Sequence, residues 1–129
     1  MKKLAHIAIV VDDYDKAIQY YTTVLGFDLV HDEVLSETKR WVLVSPGEGS
    51  CQLLLARAAS EVQQQAIGNQ SGGRVFLFLH TDHFDENHGR LLQHGVEIVR
   101  GVEQMTYGKV LVFRDIYGNL WDLIGKDSL

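Results

Sequence analysis

The chain has a single cysteine, Cys51, which excludes an intrachain disulfide framework and any cysteine-based zinc site. It has one proline against 12 glycines, and 46% of its residues are hydrophobic, which argues against disorder. Lys and Arg form no cluster, and 17 acidic residues outnumber 12 basic ones for a formal charge of −5. The electrostatic footprint of a nucleic-acid binder is therefore missing. The longest uninterrupted apolar runs, Ile7–Val11 and Val75–Leu79, are far too short to span a bilayer. Met1-Lys2-Lys3-Leu4 opens like a secretory leader, but Asp12 and Asp13 cut the apolar stretch and no small-residue cleavage site follows. Leu4–Val11 is accordingly read as a strand, and the protein as cytoplasmic with no membrane partner. No Ser-His-Asp spacing and no phosphate-cradling glycine loop occurs. What remains is 129 residues, enough for one ordinary globular domain with a real core.

The chain repeats itself. At an offset of 70, Ile7-Ala8-Ile9-Val10-Val11-Asp12-Asp13-Tyr14-Asp15 matches Leu77-Phe78-Leu79-His80-Thr81-Asp82-His83-Phe84-Asp85. One deletion later the offset is 69, and Gly26–Val30 matches Gly95–Val99. At the same offset Trp41–Val44 meets Val110–Phe113, Gly49 meets Gly118, and Cys51–Leu55 meets Leu120–Ile124. The expected organisation is a single domain, 1–129, of two units, about 1–57 and 74–127, with a polar linker at 58–73.

Each unit reads as strand, helix and three strands. The first strands are Leu4–Val11 and Arg74–His80. Asp13 is the expected N-cap of the first helix, with Asp15 in its first turn. Ala17, Ile18, Tyr21, Val24 and Leu25 form its apolar stripe, and Gly26 its left-handed terminus. The second helix spans Phe84 to His94, with Leu91 and Leu92 inward and Gly95 closing it. The remaining strands are Phe27–Glu33, Lys39–Ser45 and Ser50–Arg57, then Val96–Val102, Lys109–Arg114 and Asn119–Gly125. Pro46–Gly49 and Asp115–Gly118 supply the turns before the last strand of each unit.

Three stretches carry a family resemblance: His6-Ile7-Ala8-Ile9-Val10-Val11-Asp12, the helix ending Val24-Leu25-Gly26-Phe27, and Phe113-Arg114-Asp115-Ile116-Tyr117-Gly118-Asn119-Leu120-Trp121-Asp122-Leu123. Together they resemble the vicinal oxygen chelate superfamily, which includes glyoxalase I, bleomycin resistance proteins and extradiol dioxygenases. The resemblance covers residues 3 to 126. The last stretch departs from the usual Asp-Pro-Asp-Gly-Asn turn at Ile116 and Tyr117 but keeps a glycine where positive φ is needed. The resemblance implies an α+β fold of two tandem βαβββ units, their mixed β-sheets curled into half-barrels with helices outside. It also implies a homodimer, because half-cups leave edge strands and an open apolar face.

Metal-dependent members of that superfamily use four strand positions, two on the first strand of each unit and two on the last. His6 takes the first, and the match of the last strand yields Asp122. The repeat offsets then assign Phe76 and Leu53 to the other two. Leu53 and Phe76 offer no ligand atom, so the expectation is no metal cofactor; if any metal binds, it is on His6 and Asp122. Placing Gln52 in the quartet would require a one-residue slip that turns the whole strand over. An inward Asp122 needs a polar or charged partner, either His6 across the cup or a ligand's amine. Leu53 and Phe76 would make the pocket floor apolar, and Tyr107 precedes a strand at a loop where family members touch substrate. His80, His83, His88 and His94 are read as solvent-facing, and Cys51 as a buried apolar residue.

Three functions compete. The first is a metal-free protein of the glyoxalase and bleomycin-resistance type that binds a small organic molecule in a β-cup, through His6, Leu53, Phe76, Tyr107 and Asp122. The second is a lyase, isomerase or dioxygenase that uses a divalent metal (Zn, Ni, Mn or Fe). The third is a metal-independent enzyme with His6 and Asp122 as the catalytic residues, His6 as base and Asp122 orienting it.

Overall fold

The structure is a computed structural model and describes residues 1–126. The expected end of the second unit at residue 127 lies outside the described residues. The chain divides into two compact units, Met1–Ile67 and Gly68–Leu129. In the first unit β1 (His6–Val11) is followed by helix α1 (Tyr14–Gln19), which runs on as a π-helical turn over Tyr20–Val24. Strands β2 (Asp28–Val34), β3 (Arg40–Ser45) and β4 (Gln52–Arg57) complete the motif. A short helix α2 (Glu61–Ala66), capped by the Ser60 side chain, lies within the segment expected to be a plain linker. The second unit runs β5 (Val75–Thr81), α3 (Phe84–Gln93), β6 (Glu97–Met105), β7 (Gly108–Arg114) and β8 (Leu120–Lys126).

Each unit holds one four-stranded mixed sheet. The strand order is β1-β4-β3-β2 in the first and β5-β8-β7-β6 in the second, and neither sheet closes. The first strand of each unit pairs parallel with the last, and the other pairs are antiparallel. This is the expected βαβββ repeat.

Successive strand residues face opposite sides of a sheet, so the helices select one residue in two. Under α1 the buried set is Ile9, Val11, Val42, Val44, Leu53 and Leu55, with Ala17 and Tyr21 of the helical segment buried as well. Asp13 caps α1 as expected, accepting from the Lys16 N–H at 2.8 Å. The stripe is only partly right: Ile18, Val24 and Leu25 are half-buried, and Tyr14 and Tyr20 are buried in addition. The cause is the change of pitch. Thr22 Oγ1 donates to the Ile18 carbonyl at 2.7 Å, and Leu25 N–H reaches back five residues to Tyr20. The face therefore rotates away from the 3.6-residue period. Gly26, at φ 76°, turns the chain out of the helix.

In the second unit Trp121, Leu123, Leu111 and Phe113 are buried, and α3 packs on β8. Gly125 makes that packing possible, because a Cβ there would stand 2.6 Å from the Phe84 Cβ. Leu91 is buried, but Leu92 is 58% exposed, which corrects the expectation that both point inward. Among the described residues no helix is long and apolar enough to cross a membrane.

Candidate functional site

The sheet face not selected by the helix is the candidate binding face of each unit. Strand pairing identifies its members, because laterally paired residues share a side. In the second unit Asp122 pairs with Phe78 on β5 and with Val112 on β7, and Val112 pairs with Arg100 on β6. Phe78, Asp122, Val112 and Arg100 therefore form one row across four strands. His80, two residues beyond Phe78 and paired with Ile124, shares the face. Phe76 belongs to it by alternation, beside the β5 irregularity between Val75 and Leu77.

Asp122 is the unusual member. Its Oδ1 is buried and has no hydrogen-bond partner among the described residues. Burial pushes the carboxyl above its ordinary range, and the charges of Arg100 and His80 pull it partly back. A buried acceptor without a donor is costly and calls for one from outside the chain. Next to it Phe78 is 63% exposed, an aromatic surface left uncovered within a well-formed sheet. The face thus combines an unsatisfied acceptor, two cationic or titratable neighbours and exposed aromatic surface. Arg100 was not anticipated, because β6 carries two irregularities, on either side of Arg100, that hide its register from the sequence. His80 was set aside as solvent-facing; it is exposed, but on the face of Asp122. His83 and His94 are exposed, and His88 is half-buried beside the Phe84 ring, 6.1 Å centre to centre.

In the first unit the corresponding face carries His6, Ala8 and Val10 of β1 beside Gln52, Leu54 and Ala56 of β4. His6 is exposed, with its ring edge-on to Trp41 at 6.2 Å. At the sheet edge His31 Nε2 and Glu33 Oε1 are 3.1 Å apart. Leu53 is not on this face. It pairs with Ile7 and Val44, is 4% exposed and packs in the core. Ala8 pairs with Leu54 as Phe78 pairs with Asp122, so Leu54 is the counterpart of Asp122. The physical reason is a turn one residue longer: residues 46–51 separate β3 from β4, whereas 115–119 separate β7 from β8. The added residue moves the repeat offset from 69 to 68, and a strand read at the wrong offset by one residue has its two faces exchanged. Cys51 lies in that longer turn, half-buried rather than buried.

Tyr107 is 51% exposed in the turn linking β6 to β7, five residues, or roughly 17 Å of strand, before the paired row reaches Val112. It does not join the row of Asp122.

The donor set does not suit a divalent metal. Of the four first- and last-strand positions, Phe76 and Leu54 offer no lone pair. Among the described residues no group of three or more His, Cys, Asp or Glu lies close enough to hold an ion.

Comparison with known proteins agrees with this architecture. An uncharacterized protein of Shewanella frigidimarina is 51% identical over 125 residues, 95% of this chain and 93% of that one. YurT of Bacillus subtilis is 30% identical over 96% of this chain and 99% of its own. Among solved structures UcmS2 superposes with a TM-score of 0.81 at 28% identity, covering 96% of this chain and 98% of that one. TnmS3, an antibiotic binding protein from Streptomyces sp. CB03234, does so at 0.74 and 25%, covering 98% of each chain. The family model of the Glyoxalase/Bleomycin resistance protein/Dioxygenase superfamily matches residues 3–123, and the chain belongs to that superfamily.

Proposed function

We propose that this protein binds a small organic molecule without a metal, gripping a donor group of the ligand through Asp122. The observation that carries this reading is the buried Asp122 Oδ1 without a partner, on a face with Phe76 and the exposed Phe78. A ligand amine or N–H supplies the missing donor, and its apolar body covers the aromatic surface. Arg100 and His80 offer donors to a second, electron-rich group on the same molecule. On the first unit the exposed His6, edge-on to Trp41, is the polar anchor. The similarity to TnmS3 supports a binding role. A metal-dependent lyase, isomerase or dioxygenase would need ligand atoms that Leu54 and Phe76 do not have.

Titration with 2-phenylethylamine tests the reading. Binding is expected to weaken at least about tenfold in Asp122→Asn, which removes the charge-assisted bond and keeps the shape. Equal binding by parent and variant rejects it, as does a stoichiometric divalent metal in protein purified without chelator. A cytoplasmic homodimer completes the proposal. All of β2 and eight of nine residues of β6 are exposed on edge strands, which need covering. A solution mass near twice 14.6 kDa is expected, and a clean monomer at micromolar concentration contradicts it.

A further inference from the structure

The first unit contains a cavity at the end of its sheet, which shares Trp41 and Leu54 with the face of His6. It has a volume of about 330 Å³ and lies where β3 begins, β4 ends and α2 starts. Tyr14 and Trp41 supply aromatic wall, and Leu54 and Leu55 supply apolar floor. Lys39, Arg40 and Arg57 also line it, and none of its lining residues is acidic. An adjoining hollow of about 230 Å³ shares Tyr14, Lys39, Arg40 and Arg57.

In a chain of net charge −5 three cations around one cavity are out of keeping with the whole. They are not equivalent. Arg40 is already engaged: it donates to Asp15 at 2.9 Å and to Asp32 at 2.7 Å, and its guanidinium stands 5.2 Å from the centre of the Tyr14 ring. It serves to fix the wall. Lys39 and Arg57, by contrast, have no acidic partner among the described residues. Glu37 and Asp13 line the adjoining hollow and not the cavity, and Asp13 is occupied as the cap of α1. Two uncompensated cations over an aromatic and apolar pocket fit a ligand with one negative end and a flat apolar body.

We infer that this cavity binds a one- or two-ring aromatic carboxylate, with Lys39 and Arg57 on the carboxylate and Trp41 and Tyr14 against the ring. This does not rest on the ligand proposed for Asp122. Free phosphate would satisfy the cations but leave the aromatic wall and apolar floor uncovered. The chain has two tryptophans, and Trp121 is buried with its Nε1–H donating to Asp115 at 3.0 Å, so a ligand in the cavity shifts the Trp41 indole N–H and leaves that of Trp121 in place.

The test is a titration with 2-naphthoate, followed by calorimetry and by the indole N–H resonances, which Trp41→Phe assigns. Submillimolar binding that shifts Trp41 and leaves Trp121 in place is expected. The neutral 2-naphthylmethanol and the double variant Lys39→Gln/Arg57→Gln should each bind at least about tenfold more weakly. Both substituted side chains are exposed, and an unchanged thermal midpoint verifies the fold. Asp122→Asn should leave naphthoate binding unaltered, so failure at one site is distinguishable from failure at the other. The inference is overturned if naphthoate does not bind, if the alcohol or inorganic phosphate binds as well as naphthoate, if the double variant binds like the parent, or if Trp121 shifts instead.

Discussion

In the second unit the turn before the last strand is organised by one side chain. Asp115, 4% exposed, accepts from the backbone N–H groups of Tyr117, Gly118 and Asn119, from Asn119 Nδ2 and from Trp121 Nε1. In the first unit the corresponding turn is longer and has no such hub. Ser45 Oγ donates to the Gly47 carbonyl at 2.7 Å and accepts from the Gly47 N–H at 3.2 Å, while the Ser50 N–H donates to the Gly47 carbonyl at 3.2 Å and Ser50 Oγ to the Cys51 carbonyl at 3.1 Å. The two units thus reach the same strand order by different means. The tight turn ties β8 and the core ring of Trp121 to one carboxylate. The loose turn admits an extra residue and moves the repeat offset of β4 from 69 to 68, so that Leu53 and Leu55 take the core side as Trp121 and Leu123 do in β8. A shared topology therefore keeps the two faces while the sequence spacing between them changes.

The largest expected effect breaks the hub. Asp115→Ala leaves several buried donors unpaired and should cost about 3–5 kcal/mol, whereas Ser45→Ala should cost about 1 kcal/mol. Urea unfolding monitored by circular dichroism measures both. Comparable losses would show that the two turns carry the same weight, contrary to the hydrogen-bond pattern.

The shift of offset is sharpened by a neighbouring pair in β4. Leu53→Ala should cost about 2–4 kcal/mol because the site is enclosed, and Leu54→Ala under about 1.5 kcal/mol because its side chain is half-buried. Thermal melts of the two variants decide the assignment, and a larger loss at Leu54 would restore the offset of 69 read from the sequence.

That offset shows where sequence legibility ends. The strands, the Asp13 cap, the Gly26 terminus and the repeat were all visible because each depends on local chemistry or periodicity. The mixed, curled sheets were expected from the family resemblance. What failed depended on register. Gly49 aligns with Gly118 by residue type, which concealed the extra residue in the first turn and put Leu53 where Leu54 stands. The stripe of α1 was read at a constant 3.6-residue period, and nothing in Tyr20-Tyr21-Thr22-Thr23 announces a π-turn. Asp122 was legible as a carboxylate in an apolar strand. Arg100 was not, since its place on the face passes through two irregularities of β6.

Two aspartates offer a contrast in sign. Burial raises Asp122 above its ordinary value of 3.8, so the folded state holds the proton more tightly than the unfolded one. Stability then falls as pH rises from that ordinary value through the raised one, and at pH 7 Asp122→Asn should stabilise the fold. In the first unit the hydrogen bond and charge of Arg40 lower Asp32 below its ordinary value of 3.8. Its contribution is present above the ordinary value and lost as pH falls through the lowered one. Asp32→Asn should therefore destabilise at pH 7, by less than about 1 kcal/mol because solvent screens the pair. Urea midpoints at pH 7 and pH 3 test both signs; a stabilised Asp32→Asn or a destabilised Asp122→Asn would contradict them.

The smallest effect compares the two helix starts. Asp13 and His83 occupy the same place in the repeat, each just before its helix. Asp13 has extended backbone, φ −150° and ψ 133°, which aims its carboxylate at the Lys16 N–H. His83 sits at φ −130° and ψ 55°, makes no side-chain cap bond, and has its own N–H taken by Thr81 Oγ1 at 2.9 Å. The orphan donors of α3 thus receive nothing from the cap residue, whereas α1 gains one charge-assisted bond. Asp13→Ala should cost about 1 kcal/mol and His83→Ala no more than about 0.5 kcal/mol. The stability difference should shrink at high salt, because the part of the Asp13 effect that acts on the helix dipole is screened. Amide exchange in the first turn of each helix is the local readout: faster exchange at Lys16 in Asp13→Ala, with α3 unchanged in His83→Ala, is expected. Equal acceleration in both helices would mean that His83 caps α3 in solution.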